Sequence, residues 1–323
     1  MSQTVLTGLE GRVQKSSPIR ALGVGRFTLL LVLLAIIVVT AIGNPRFLSA
    51  NNLFNILFQV STLGIVAAGQ TVLLVAGGLD LSVGAALSVA GLSTALTVVG
   101  TGSTLLGVLA GLAAGTAIGT LNGALVATNR ATPFIVTLGT MTFLQGMAIV
   151  MCNGSPVNGV DTLFDIFSTG SAFGVPFPIY ALLAAVATIY LVLRFTMLGR
   201  YAFAIGGNEE AARLSGIPVR RVKIGLYALS GLMVGVAGVI LTGILDSGLP
   251  SMGNGYELRA IAAVVIGGTP LVGGRGTVIG TLGGVLLLGL VSNSMNLLGV
   301  GANYQSAVLG LIITAAVLLQ KKR

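Results

Sequence analysis

The 323-residue chain has no histidine, no tryptophan, one cysteine and only 8% charged residues. Without histidine there is no imidazole to act as general base or metal ligand. The lone Cys152 excludes an intrachain disulfide and any cysteine-cluster metal site. A soluble domain carries about 25% charged residues, so this chain cannot cover a water-facing surface. No G-x-x-x-x-G-K-[ST] phosphate loop occurs, which excludes ATP binding by that route. These absences argue against an enzyme with metal or nucleophile chemistry. No catalytic residue, metal or cofactor is expected.

What is present is apolar: 54% of residues are hydrophobic and the mean hydropathy is +1.01. Runs of roughly 20 apolar residues match the hydrocarbon core of a bilayer. They do not alternate as the strands of a membrane β-barrel would. The expected fold is all-α, a polytopic membrane protein with about ten transmembrane helices. The spans fall at 27–43, 53–76, 79–100, 104–128, 132–152, 176–193, 224–245, 258–274, 276–298 and 303–320. Residues 53–100 cannot be one helix, which would be roughly 72 Å long, over twice the core thickness. The turn is expected at Gly77-Gly78-Leu79-Asp80.

A net charge of +9 invites a nucleic-acid reading. The basic residues instead cluster at the ends of apolar spans, so no nucleic-acid partner is expected. With the N-terminus in the cytoplasm, all of the 17 Lys and Arg except Arg46 and Arg259 lie on the inside. Asp161, Asp165, Asp246 and Glu257 fall in outer loops. Both termini are therefore expected in the cytoplasm, with residues 1–26 a short tail, 27–320 the membrane domain and 321–323 a second tail. The run Phe27–Ile42 is longer than the apolar core of a signal peptide, and no A-x-A site follows it, so it is expected to remain as a span.

There are 48 glycines. Gly107, Gly111, Gly115, Gly119 and Gly123 recur every fourth residue and share one slowly drifting stripe of a helix. Lipid supplies no hydrophobic force between helices, so close backbone approach must hold them together. Gly231 with Gly235, and Gly276 with Gly280 and Gly284, repeat the device. Packing within the chain is favoured over a contact between copies.

Two breaks resemble each other. Residues 75–84 and 265–274 agree at five of ten positions, sharing Val-x-Gly-Gly. Interrupted segments in corresponding halves can mark a transport path, and reentrant turns are the alternative. On this basis Asp80, Ser82, Gly267, Gly268 and Thr269 are candidate path residues. Asp80 is the ionisable residue nearest a span interior, where charge is costly and often functional. It also directly precedes an apolar helix, and helix capping is the favoured role.

A bundle of this size with no enzyme site suggests a transporter or a channel. A channel needs a polar filter or charged ring, and none is visible. Ion-coupled transporters carry carboxylates or histidine inside the membrane, and this chain has almost none. An external motor must then act on the one long polar insertion, residues 195–223. It carries Arg200, Arg213, Arg220, Arg221 and Lys223, with Arg194 just before it. Within it, Glu209 to Ser215 suits a short helix with Asn208 as N-cap, stopped by Gly216 and Pro218. A plain solvated loop is the alternative.

Glu210-Ala211-Ala212 followed by Gly216 has the E-A-A-x-x-x-G spacing of the loop through which ABC importer permeases contact their ATPase. Other strings are Asn51-Asn52-Leu53-Phe54-Asn55-Ile56-Leu57, Asp80-Leu81-Ser82-Val83-Gly84 and Asn153-Gly154-Ser155-Pro156-Val157. Gly206-Gly207-Asn208-Glu209, Gly255-Tyr256-Glu257-Leu258 and Asn296-Leu297-Leu298-Gly299 follow in order. With these strings the chain resembles the ribose-type branch of sugar ABC transporter permeases, in the branched-chain amino acid and sugar permease superfamily, over nearly its whole length. The resemblance implies a permease in the bacterial plasma (inner) membrane that imports a monosaccharide, ribose or a similar sugar. An autoinducer, an amino acid or, in another class, passive conduction are the alternatives. It implies cytoplasmic ABC ATPase subunits, a periplasmic or lipid-anchored sugar-binding protein, and a second permease copy in a homodimer or heterodimer. It also makes Gly206, Gly207, Asn208, Glu209, Glu210, Ala211, Ala212, Arg213 and Gly216 the ATPase-coupling residues. The chain departs from this pattern at Arg259, where such permeases often carry an acidic residue.

Overall fold

The computed structural model describes residue 31, residues 33–160 and 170–301, and residues 304, 305, 307, 308, 310–312 and 314. The tails at 1–26 and 321–323, Asp161 and Asp165 lie outside the described residues. The outer spans at 27–43 and 303–320 are described only in part.

A short apolar helix α1 covers Leu33–Gly43. Then come α2 (Ala50–Val75), α3 (Val83–Thr101), α4 (Thr104–Val126) and α5 (Pro133–Met151), with α6 at Phe177–Phe195. Two short helices follow, α7 (Met197–Gly207) and α8 (Glu209–Leu214). Then follow α9 (Val219–Leu245), α10 (Tyr256–Ile266) and α11 (Val278–Leu297), and the described residues between 304 and 314 are helical. Among the described residues, seven helices are long and apolar enough to cross a membrane: α2, α3, α4, α5, α6, α9 and α11. Two-residue strands Val157–Asn158 and Ser247–Gly248 pair antiparallel and join the loops after α5 and α9.

The expected turn between α2 and α3 is there. Helix α2 ends at Val75, and Gly77 takes a positive φ of 73°. The expected span at 258–274 is not. Its helix is α10, 11 residues and about 16 Å long, too short to cross. Gly267 and Gly268 end it, Gly268 with φ +94°, and Pro270 prevents its renewal. The helix α7 inside the polar insertion is an addition, its helical signal weakened by Gly199, Gly206 and Gly207.

The centre of the molecule is α2, buried along most of its length. Helix α4 crosses α9 through its glycines. All five stripe glycines are buried. A Cβ on Gly115 would lie 2.6 Å from both the Gly231 carbonyl oxygen and the Gly235 nitrogen, and one on Gly123 2.8 Å from Ile224 Cα. The two backbones touch, so dispersion acts over the whole seam. Gly107 instead packs against Thr94 and Val98 of α3. Polar side chains add buried cross-links. Asn52 of α2 and Asn293 of α11 exchange amide hydrogen bonds of 3.0 and 2.9 Å, and Thr71 and Thr281 share one of 2.8 Å. The outer helices α4 and α5 keep broad apolar faces, among them Leu105, Leu109, Phe134 and Ile135.

Candidate functional site

The polar insertion between α6 and α9 builds an ordered surface. Asn208 is extended, and its Oδ1 accepts a hydrogen bond from the Ala211 N–H at 2.9 Å, capping α8. Glu209 and Glu210 occupy the first turn, where negative charge suits the helix dipole. Gly216 ends the turn with φ +82°, and Ile217 N–H donates to the Ala212 carbonyl at 3.1 Å. Ala212 packs inward, while Glu210 and Arg213 face out and form an ion pair with Nε to Oε2 at 3.0 Å. The hydrogen bond from Arg213 holds the Glu210 carboxyl below its usual range, and Glu210 raises Arg213 in return. Both side chains are solvated, so the pair marks geometry rather than stability.

Glu209 points the other way. Its Oε1 accepts from Lys223 Nζ at 2.7 Å and from Asn129 Nδ2 at 3.3 Å, and Lys223 also donates to Asn129 Oδ1 at 3.0 Å. Three segments distant in sequence are tied: α8, the second turn of α9, and the turn between α4 and α5. Asn129 holds a left-handed φ of 53° in that turn. Nothing in the one-dimensional pattern linked Asn129 to Glu209; only the folded chain brings them together. The knot borders a cleft of about 680 Å³ whose walls include Leu73, Gly77, Gly78, Arg130, Lys223 and Tyr227.

The first of the two similar breaks thus lines the cleft through Gly77 and Gly78, and the second packs on it. They meet through their glycines: Gly274 N–H donates to the Val75 carbonyl at 2.9 Å, and a Cβ on Gly273 would lie 2.6 Å from the Gly77 nitrogen. Gly206 joins them, since a Cβ there would meet the Gly274 nitrogen at 2.5 Å. Thus the end of α7 rests on both breaks. Gly207 beside it is open, with nothing near its missing Cβ.

Asp80 is buried and fixes the start of α3. Its Oδ1 accepts from the Ser82 N–H at 2.8 Å and the Ser82 hydroxyl at 2.7 Å, with Asn122 Nδ2 3.3 Å from Oδ2. The N-cap position belongs to Ser82, so Asp80 acts two residues before the N-cap. Four other helices hold the same stretch. Gln70 of α2 donates to the Asp80 carbonyl, Tyr227 of α9 donates to the Leu79 carbonyl at 2.9 Å, and Thr137 of α5 accepts from Leu81 N–H at 3.1 Å; Asn122 belongs to α4. Thr269 is buried too, and Gly267 packs on the backbone of Gly280 and Thr281. The breaks therefore touch at residues 75–77 and 273–274, not through Asp80 and Thr269.

A helical bundle with discontinuous segments and a capped helix on a polar face is a multi-pass membrane transport subunit. Residues 52–317 match the family described as the branched-chain amino acid transport system / permease component, and the chain belongs to that family. It is 45% identical to the ribose import permease protein of Bacillus subtilis, over 90% of this chain and 91% of that one. Its identity to the ribose import permease protein of Escherichia coli is also 45%, over 91% and 93% of the two chains. The L-arabinose transport system permease protein of Escherichia coli is 40% identical over 92% of this chain and 90% of that one. No solved structure matches the chain.

Proposed function

We propose that this chain is the membrane-spanning subunit of an ATP-driven importer for a monosaccharide, ribose or a similar sugar. The observation that carries this is the 45% identity to ribose import permeases over nine-tenths of the chain. The capped helix α8 supplies the mechanics: Gly206 to Arg213 and Gly216 are the coupling segment, in which Gly207, Asn208, Glu210, Ala211, Arg213 and Gly216 are exposed to a separate cytoplasmic ATPase while Gly206 and Ala212 face the bundle. Two permease copies, two ATPase subunits and a sugar-binding protein on the outer face complete the assembly. Ten spans with both termini in the cytoplasm complete the topology. In it α10 forms one passage together with the non-helical chain on either side. Asp80, Ser82, Gly267, Gly268 and Thr269 form the rigid base of the path, and α7 transmits motion to that base through Gly206. The direct test is D-ribose uptake by the reconstituted assembly with its binding protein. A second reading, a permease for another small solute such as an amino acid, is favoured by the family's description.

Two results are expected. Ser215 is exposed at the end of α8. Cysteine placed there, with Cys152→Ser, should react with a membrane-impermeant thiol reagent in inside-out vesicles and not in intact cells. Labelling of intact cells would reverse the orientation. The knot around Glu209 should act as a latch between the motor's contact and the bundle. Lys223→Met would leave Glu209 and Asn129 without their shared cation. Uptake per ATP hydrolysed should fall several-fold, by the loss of one charge-assisted contact, and Lys223→Arg should recover part of it. An unchanged ratio in Lys223→Met would show that the knot transmits nothing.

A further inference from the structure

Arg259 lies in an unexpected place. The sequence puts it at the outer edge of a span. In the structure the chain after α9 first runs inward along α3 without forming a helix. Gly248 packs on Leu92 and Ala95, Met252 lies on Gly91, and Gly253 lies on Gly84, its N–H donating to Ser88 Oγ at 3.0 Å. Helix α10 begins only at that level. The Tyr256 hydroxyl hydrogen-bonds Thr62 Oγ1 at 3.0 Å, and Thr62 is halfway along the 26-residue α2. The first turn of α10 is thus at the middle of the bundle. On it, Leu258 and Arg259 are exposed and Glu257 is half-buried. Arg259 donates no side-chain hydrogen bond and makes no ion pair with any described residue. Glu257 faces α3 instead: its Oε1 accepts from Gly255 N–H at 3.2 Å and its carboxylate packs on Gly84, on the flank of α10 away from Arg259.

A guanidinium exposed at this depth cannot face hydrocarbon, and intramembrane charges turn toward water-filled cavities or protein. Non-helical backbone at membrane depth obeys the same constraint. We propose that Arg259 lines a water-filled station of the solute route at mid-membrane. There its guanidinium donates hydrogen bonds to the hydroxyl oxygens of a neutral polyhydroxylated solute. A cation would be repelled by the same group. The inference rests on the sugar-import reading for its ligand but not for its water.

The test uses the full reconstituted assembly with Cys152→Ser. Arg259→Cys is exposed to a membrane-impermeant cationic methanethiosulfonate, with Leu183→Cys on the exposed face of α6 and Ser215→Cys as the references. Arg259→Cys should react far faster than Leu183→Cys and close to Ser215→Cys, and saturating D-ribose should slow it. Labelling as slow as Leu183→Cys, or a disulfide between two copies in its place, would overturn the proposal. In a separate test of the ligand, Arg259→Gln should raise KM for D-ribose roughly tenfold, the loss of one charge-assisted hydrogen bond. Unchanged KM would contradict the contact. If Arg259→Cys labels while the unmutated assembly takes up no D-ribose, the ligand class is overturned and the water-lined route stands.

Discussion

Gly115→Leu should leave almost no folded, detergent-stable protein. Gly115 is one of the points where the backbones of α4 and α9 touch. Its missing Cβ faces the Gly231 carbonyl oxygen, the Gly235 nitrogen and, at 2.7 Å, the Gly235 Cα. These are backbone atoms and cannot swing aside. A leucine would part the helices along the whole seam, and the dispersion contacts at Gly111, Gly119 and Gly123 would go with it. Inserting bulk into a packed core costs typically 1–3 kcal/mol, and about 3 kcal/mol or more is expected where backbone meets backbone. Ala113→Leu is the matched control, since Ala113 is exposed on the same helix. Its yield on size-exclusion chromatography should stay near that of the unmutated chain. Equal yields for the two variants would show that the stripe is not a seam.

Glu210→Lys and Gly216→Trp should abolish uptake while the permease remains in the membrane. Neither residue packs in the bundle: Glu210 is solvated, and the missing Cβ of Gly216 meets nothing within 4 Å. Glu210→Lys sets a second cation beside Arg213 and reverses the charge offered to the motor subunit. Gly216→Trp bars the φ of +82° that ends α8, since side chains other than glycine are strained there. Loss of uptake with normal membrane abundance locates the damage at the contact. If either variant still binds the ATPase and transports sugar, α8 is not where the motor pushes.

The sequence shows some of this plainly and conceals the rest for physical reasons. The break at Gly77 to Asp80 was legible because length alone forbids one helix over residues 53–100. Helix α8 was legible because its cap, its acidic first turn and its glycine stop are all local signals. The glycine stripe was legible from its period of four, although the sequence could not name α9 as its partner. Helix α10 misled, because an apolar run through Gly267 and Pro270 has a span's composition without a helix's continuity. With it went the depth of Glu257 and Arg259, which depends on a non-helical segment descending along α3. The Asn129–Glu209–Lys223 knot was hidden for another reason: its members are 80 and 14 residues apart, and each alone reads as an ordinary solvated side chain.

The central claim is that a separate ATPase drives solute through this chain by way of α8. It is tested most directly in proteoliposomes holding the permease, its ATPase and its binding protein, by following labelled D-ribose with and without ATP. The account predicts accumulation against a gradient only when ATP is hydrolysed, and none in the Glu210→Lys assembly. Equilibration of D-ribose without ATP, or through the permease alone, would contradict it and make the chain a passive conduit.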